Sequence, residues 1–149
     1  SCVLKEGADH EIRKQPQATR WCAPQHCAYQ KLSHKGDVWA TGTLLWEMFS
    51  RGNVPWVNWT KRTEVAAKLK ELAEAAPGSP EAFFDAGAEF PPQEGYPAEA
   101  QDGLISCLQV EEDARPSFAD LAEHFQQVIT LEAQRAEELA QRTARERAN

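Results

Sequence analysis

Methionine occurs once in this sequence, as Met48, and tyrosine only twice, as Tyr29 and Tyr96. A chain that opens on Ser1 and keeps its one methionine mid-sequence is expected to be a fragment or a processed piece of a longer product. Basic residues are in deficit: 16 lysines and arginines face 23 aspartates and glutamates, giving a net charge of -7. That leaves no surplus to grip a phosphate backbone and argues against nucleic-acid binding. Cysteine is sparse too. Cys2, Cys22, Cys27 and Cys107 are too few for a disulfide scaffold, and no apolar leader precedes them, so reduced thiols in a cytoplasmic setting are expected. Their spacing with His10, His26 and His34 follows no standard zinc pattern, and no metal site is expected. The main apolar run is bracketed by Asp37 and Glu47, far short of the roughly 20 residues a bilayer requires, so the chain holds no membrane segment. In such a setting Asn58-Trp59-Thr60 is a chance match to a glycosylation sequon.

What is present centres on Ser33 to Trp56. Between Val38 and Phe49 only Thr41, Thr43 and Glu47 are clearly polar, a pattern that predicts a helix buried almost all round. Ser33 can cap its start, Gly52 stands where a left-handed residue would end it, and Pro55 blocks continuation. Asp37 in the first turn is favoured by the helix dipole, yet beside so much apolar surface it needs donors. It is expected to clamp backbone amides of another segment; a solvated N-terminal carboxylate is the plainer alternative. At 149 residues and 42% hydrophobic, the chain is one domain's worth.

Around that helix the periodicity is readable. Residues 1–19 show no sustained period and read as an extended loop. Thr60 to Ala76 is an amphipathic helix with Val65, Leu69, Leu72 and Ala76 inward and a Glu64–Lys68 pair outside. Pro77 to Pro97 holds five of the nine prolines, so it cannot be a long helix, and Phe83, Phe84 and Phe90 should fold part of it onto the core. Ala98 to Gln109 returns to helix, with Leu104, Ile105, Cys107 and Leu108 inward. Ser117 with Asp120 forms a capping box for a last helix whose Phe118, Leu121, Phe125, Val128 and Ile129 face the core. Residues 131–149 continue as an exposed helical tail with a Glu138–Arg142 pair.

Three stretches together carry a resemblance. Asp37-Val38-Trp39-Ala40-Thr41-Gly42-Thr43-Leu44-Leu45-Trp46-Glu47-Met48 resembles the central helix of the protein kinase C-terminal lobe, in its tyrosine kinase form. Arg20-Trp21-Cys22-Ala23-Pro24-Gln25 resembles the Arg-Trp-x-Ala-Pro-Glu that closes a tyrosine kinase activation segment. Cys107 with Arg115-Pro116-Ser117-Phe118 resembles the late Cys-Trp to Arg-Pro-x-Phe run. The resemblance implies a mainly α fold, the C-terminal helical lobe of a protein-kinase-like domain without its N-terminal β lobe. Residues 1–19 would be a partial activation segment, 20–130 the lobe and 131–149 the charged tail.

The implied function is part of a protein tyrosine kinase that transfers the ATP γ-phosphate to protein tyrosine. Thr19, Arg20, Trp21, Cys22, Ala23 and Pro24 would form the platform for a protein or peptide substrate. Gln25, Asp37, Trp39, Gly42 and Arg115 would be structural anchors, with Asp37 holding the catalytic loop. The glycine-rich loop, its lysine and both catalytic aspartates lie upstream in the family's order. So this chain would carry no catalytic residue, and ATP and magnesium would belong to the complete domain. The 60–76 helix could also dock a regulatory protein. Departures from the pattern keep a pseudokinase or scaffold without catalysis as the alternative. No tyrosine precedes Trp21, and Ala18 replaces a proline. Gln25 replaces the Glu that pairs with the residue matching Arg115, though its carbonyl can still accept a bond worth about 1.5 to 3 kcal/mol from a charged donor.

Overall fold

The computed structural model describes residues 19–56, 59–74 and 95–149. The expectations for residues 1–18, for Ala76 and for the three phenylalanines of the proline-rich stretch lie outside the described residues. A single 3-10 turn at Thr19–Trp21 leads into α1 (Pro24–Tyr29), α2 (His34–Phe49) and α3 (Arg62–Glu74). Then come α4 (Ala98–Cys107), a second 3-10 turn at Glu112–Ala114 and α5 (Phe118–Ala148). No strand occurs among the described residues.

The start and end of α2 follow local chemistry. Ser33 is extended at φ -153°, and its hydroxyl accepts from the Gly36 amide at 3.0 Å. At the other end the Gly52 amide donates to Glu47 O at 2.8 Å and the Arg51 amide to Met48 O at 3.1 Å. This bond pair is a Schellman stop, and the residue it places in the left-handed region is Arg51, at φ 60°, with Gly52 following at φ 87°. Gly52 is left-handed as expected, and the residue before it, Arg51, shares the turn because the bond pair makes Arg51 the first residue past the cap.

One face of α2 makes the core. Trp39 and Trp46 join Ala23, Trp56, Val65, Leu69, Leu104 and Leu108 in one buried cluster; Val38 meets Cys107, Leu121 and Phe125 in a second. Helix α4 crosses α2 at Gly42 with little room to spare. A Cβ there would stand 2.5 Å from Cys107 Cβ. The other face of α2 is open: Asp37, Leu44 and Met48 are exposed, and Leu44 and Met48 keep 51% and 62% of their surface. The expected all-round burial is therefore corrected, since no described element covers that side.

Three further expectations change. Lys68 pairs with Glu71 at 2.8 Å, while Glu64 turns back to accept from the Lys61 amide at 3.2 Å and caps α3. Arg142 pairs forward with Glu146 at 3.1 Å. Leu121 and Val128 are buried, but Phe118 and Ile129 are 45% and 63% exposed. Both sit roughly 60° round the helix from the stripe that α4 covers, at 100° per residue. The capping box forms as read, Ser117 Oγ accepting from the Asp120 amide and Asp120 from the Ser117 amide, both at 3.1 Å. Helix α5 crosses residues 130 and 131 unbroken, and Arg135 ties it to α4 through Glu99 at 2.5 Å.

Candidate functional site

Where the N-terminal turns of α2 meet the segment entering α1, a cleft of about 330 Å³ opens. Ser33, Gly36, Asp37 and Ala40 form its floor, Trp21, Cys22, Ala23 and His26 one wall, and Lys31 with Leu32 its lip. The lining is mostly apolar, with one lysine and one carboxylate. Trp21 is set by α2 itself, its indole donating to Glu47 Oε2 at 3.2 Å. Pro24 occupies the first turn of α1, where its missing amide costs nothing. Asp37 is exposed, and among the described residues its carboxylate has no hydrogen-bond partner. The amides it was expected to clamp are not among them.

Arg20, read as a substrate-platform residue, is engaged elsewhere. Its Nη1 donates to Pro55 O at 2.7 Å and Trp56 O at 2.8 Å, and its Nη2 to Trp59 O at 2.7 Å. Trp56 answers with its indole to Arg20 O at 3.2 Å and stacks on Trp59, centroids 5.1 Å apart. Trp56 sits at φ 59°, an unusual conformation for a bulky residue, and this ring of bonds holds it there. Arg20 thus staples the loop leaving α2 to the turn that enters the cleft wall, while Thr19 beside it is buried.

The predicted anchors Gln25, Trp39 and Arg115 come together. Arg115 Nη2 donates to Gln25 Oε1 at 2.7 Å, and its guanidinium carbon lies 5.1 Å from the Trp39 ring. Gly42 lies further along α2, under α4, and touches neither the cleft nor this cluster. Sequence reasoning did not assign to the site the cleft residues His26, Lys31, Leu32, Ser33, Gly36 and Ala40, nor Glu112, which binds Lys31 and Ser33. The acidic run Glu111-Glu112-Asp113 just before Arg115 was the available signal for Glu112.

Burial raises the thiol pKa of Cys22, and pushes Cys27 and Cys107 up to about 11. They stay protonated at neutral pH and are poor nucleophiles or ligands. Among the described residues no three His, Cys, Asp or Glu groups gather to hold a metal ion. An apolar cleft with a single carboxylate likewise does not fit a nucleotide triphosphate with its magnesium.

A family model described as protein tyrosine and serine/threonine kinase matches residues 3–125. Megakaryocyte-associated tyrosine-protein kinase of Mus musculus is 32% identical over 104 residues, 70% of this chain and 17% of that protein. Ack-related non-receptor tyrosine kinase of Caenorhabditis elegans is 32% identical over 107 residues, 70% of this chain and 9% of that protein. Ephrin type-A receptor 6 of Homo sapiens is 28% identical over 110 residues, 74% of this chain and 9% of that protein. The chain therefore spans under a quarter of the length of these relatives.

Proposed function

The chain belongs to the protein tyrosine and serine/threonine kinase family, and we propose that it works as the substrate-side half of a protein tyrosine kinase domain. In this reading the Thr19–Pro24 segment shelves a peptide beside the cleft, with Arg20 setting the shelf's height through its bonds to Pro55, Trp56, Trp59 and Thr60. Asp37 anchors an upstream loop that carries the catalytic base. The observation that carries it is the exposed Asp37 carboxylate, without a partner among the described residues, on the floor of an apolar cleft that Trp21, Cys22 and Ala23 of that shelf wall on one side. Such a carboxylate is positioned to accept amides arriving from outside the described residues. ATP and magnesium would be bound by residues beyond this cleft.

The test is made on the complete domain. Asp37→Asn is expected to lower phosphorylation of a tyrosine peptide about 100-fold, the scale of a misplaced catalytic group, with melting within a few degrees of wild type. Unchanged turnover would overturn the anchor role. The second reading, a scaffold without catalysis, is favoured by Gln25, which leaves Arg115 without a carboxylate in contact. A folded complete domain that binds peptide but never turns over ATP would establish it. We also place the domain in the cytoplasm, and a regulatory protein on the charged outer face of α3, where Lys68, Lys70, Glu71 and Glu74 are exposed. No helix among the described residues is long and apolar enough to cross a membrane.

A further inference from the structure

Arg115 is 1% exposed, yet every group its guanidinium touches is uncharged. Nε donates to Gln109 O at 2.8 Å, Nη1 to Lys35 O at 2.9 Å, and Nη2 to Gln25 Oε1 at 2.7 Å and Val110 O at 3.1 Å. The face of the cation rests on Trp39. Hydrogen bonds are thus satisfied, but a buried charge still needs an opposite one within reach.

Gln25 cannot supply it. Both ends of its amide are committed, Oε1 to Arg115 and Nε2 to Val110 O at 2.7 Å. A carboxylate in its place would lose the donor to Val110. No carboxylate touches the guanidinium among the described residues; Glu112 stands in the 3-10 turn that ends on Arg115, whose amide donates to the Glu112 main-chain O at 3.2 Å, and its charge acts on Arg115 from that turn. Burial pulls the Arg115 pKa down to about 10, and Glu112 is the foremost charge pulling it back. The same carboxylate reaches the cleft: Oε2 meets Lys31 Nζ at 2.5 Å and Oε1 accepts from the Ser33 hydroxyl. Ser33 in turn caps α2, so one acid joins the buried arginine, the helix start and the cleft lip.

We propose that Glu112 is a positioning residue for the cleft, the strut that holds Lys31 at its lip and Ser33 in its floor, and that from the same turn it serves as the counter-charge of Arg115. This stands whether the complete protein catalyses or only binds, because it concerns how the rim is held.

The test uses the full chain as wild type, Glu112→Gln, Gln25→Glu and the double variant, followed by thermal melting and by acetylation of Lys31 against Lys61 as internal reference. Glu112→Gln is expected to lower Tm by about 5 °C and to speed Lys31 acetylation severalfold with Lys61 unchanged. Gln25→Glu is expected to raise Tm only in the Glu112→Gln background, where Arg115 regains a carboxylate, and to leave Lys31 unprotected. Equal effects of Gln25→Glu in both backgrounds would overturn the counter-charge, and an unchanged Lys31 rate in Glu112→Gln would overturn the strut. If Glu112→Gln does not fold alone, the double variant decides: recovery of folding supports the assignment and continued failure refutes it.

Discussion

The two ends of α2 are held by the same device in different surroundings. At the C-terminal end Arg20, half-buried, donates to four carbonyls beyond α2, of Pro55, Trp56, Trp59 and Thr60, none of which titrates. At the N-terminal end Arg115, wholly buried, donates to three carbonyls and a side-chain amide, with the carboxylate of Glu112 out of contact in the neighbouring turn. Backbone oxygens suffice where water can share the charge. Where it cannot, a carboxylate must stand nearby, and the hold becomes sensitive to pH. The end that needs the carboxylate is also the end that shapes the cleft.

Breaking each end separately gives the largest expected effect. Arg115→Ala takes a donor from four oxygens, of which Val110 O keeps Gln25 Nε2, and empties the space under Trp39, an expected loss of about 3 to 5 kcal/mol. Arg20→Lys keeps the charge but not the fork, an expected loss of about 1 to 3 kcal/mol. Denaturant melts of the full chain would rank them, and an equal or reversed order would mean that burial does not separate the two ends.

Acid sharpens the contrast. Hydrogen bonds from Lys31 and then Ser33 hold the Glu112 carboxyl below the ordinary glutamate range. A depressed folded pKa means stability that is full above the unfolded value and lost as pH falls through the folded one. Melting temperature should therefore fall on the acid side, less steeply in Glu112→Gln, while Arg20→Lys should shift the whole profile without changing its acid slope. A wild-type acid slope unchanged by Glu112→Gln would count against the difference between the ends.

The smallest effect sits at the α2 stop. Arg51 adopts φ 60° with its side chain exposed, so Arg51→Gly removes the left-handed penalty and should stabilise by about 0.5 to 1 kcal/mol. A loss of Tm instead would show that the arginine side chain contributes at that end.

How much of this was legible in the sequence varied with the range of the interaction. Ser33 and the Ser117–Asp120 box were readable because cap and amide are three residues apart. The Gln25–Arg115 meeting was readable only through a resemblance to a family, since 90 residues separate the partners. The Arg20 staple was not readable at all: its acceptors are main-chain oxygens, which every residue carries and no residue type announces. Glu64, Lys68 and Arg142 have several partners within one turn, and small differences in rotamer decide among them.

By itself, then, the sequence determined the main helices, the Ser33 and Ser117–Asp120 caps, the apolar faces of α3 and α4, and the family, because these rest on period, on neighbours a few residues apart and on short motifs. Tertiary structure alone decided that the described residues leave one face of α2 uncovered, that Arg51 makes the turn, and that the Glu112 turn touches both Arg115 and the cleft. Those outcomes depend on which surfaces arrive to exclude water, and the arrival of a distant segment leaves no local trace in the chain it covers.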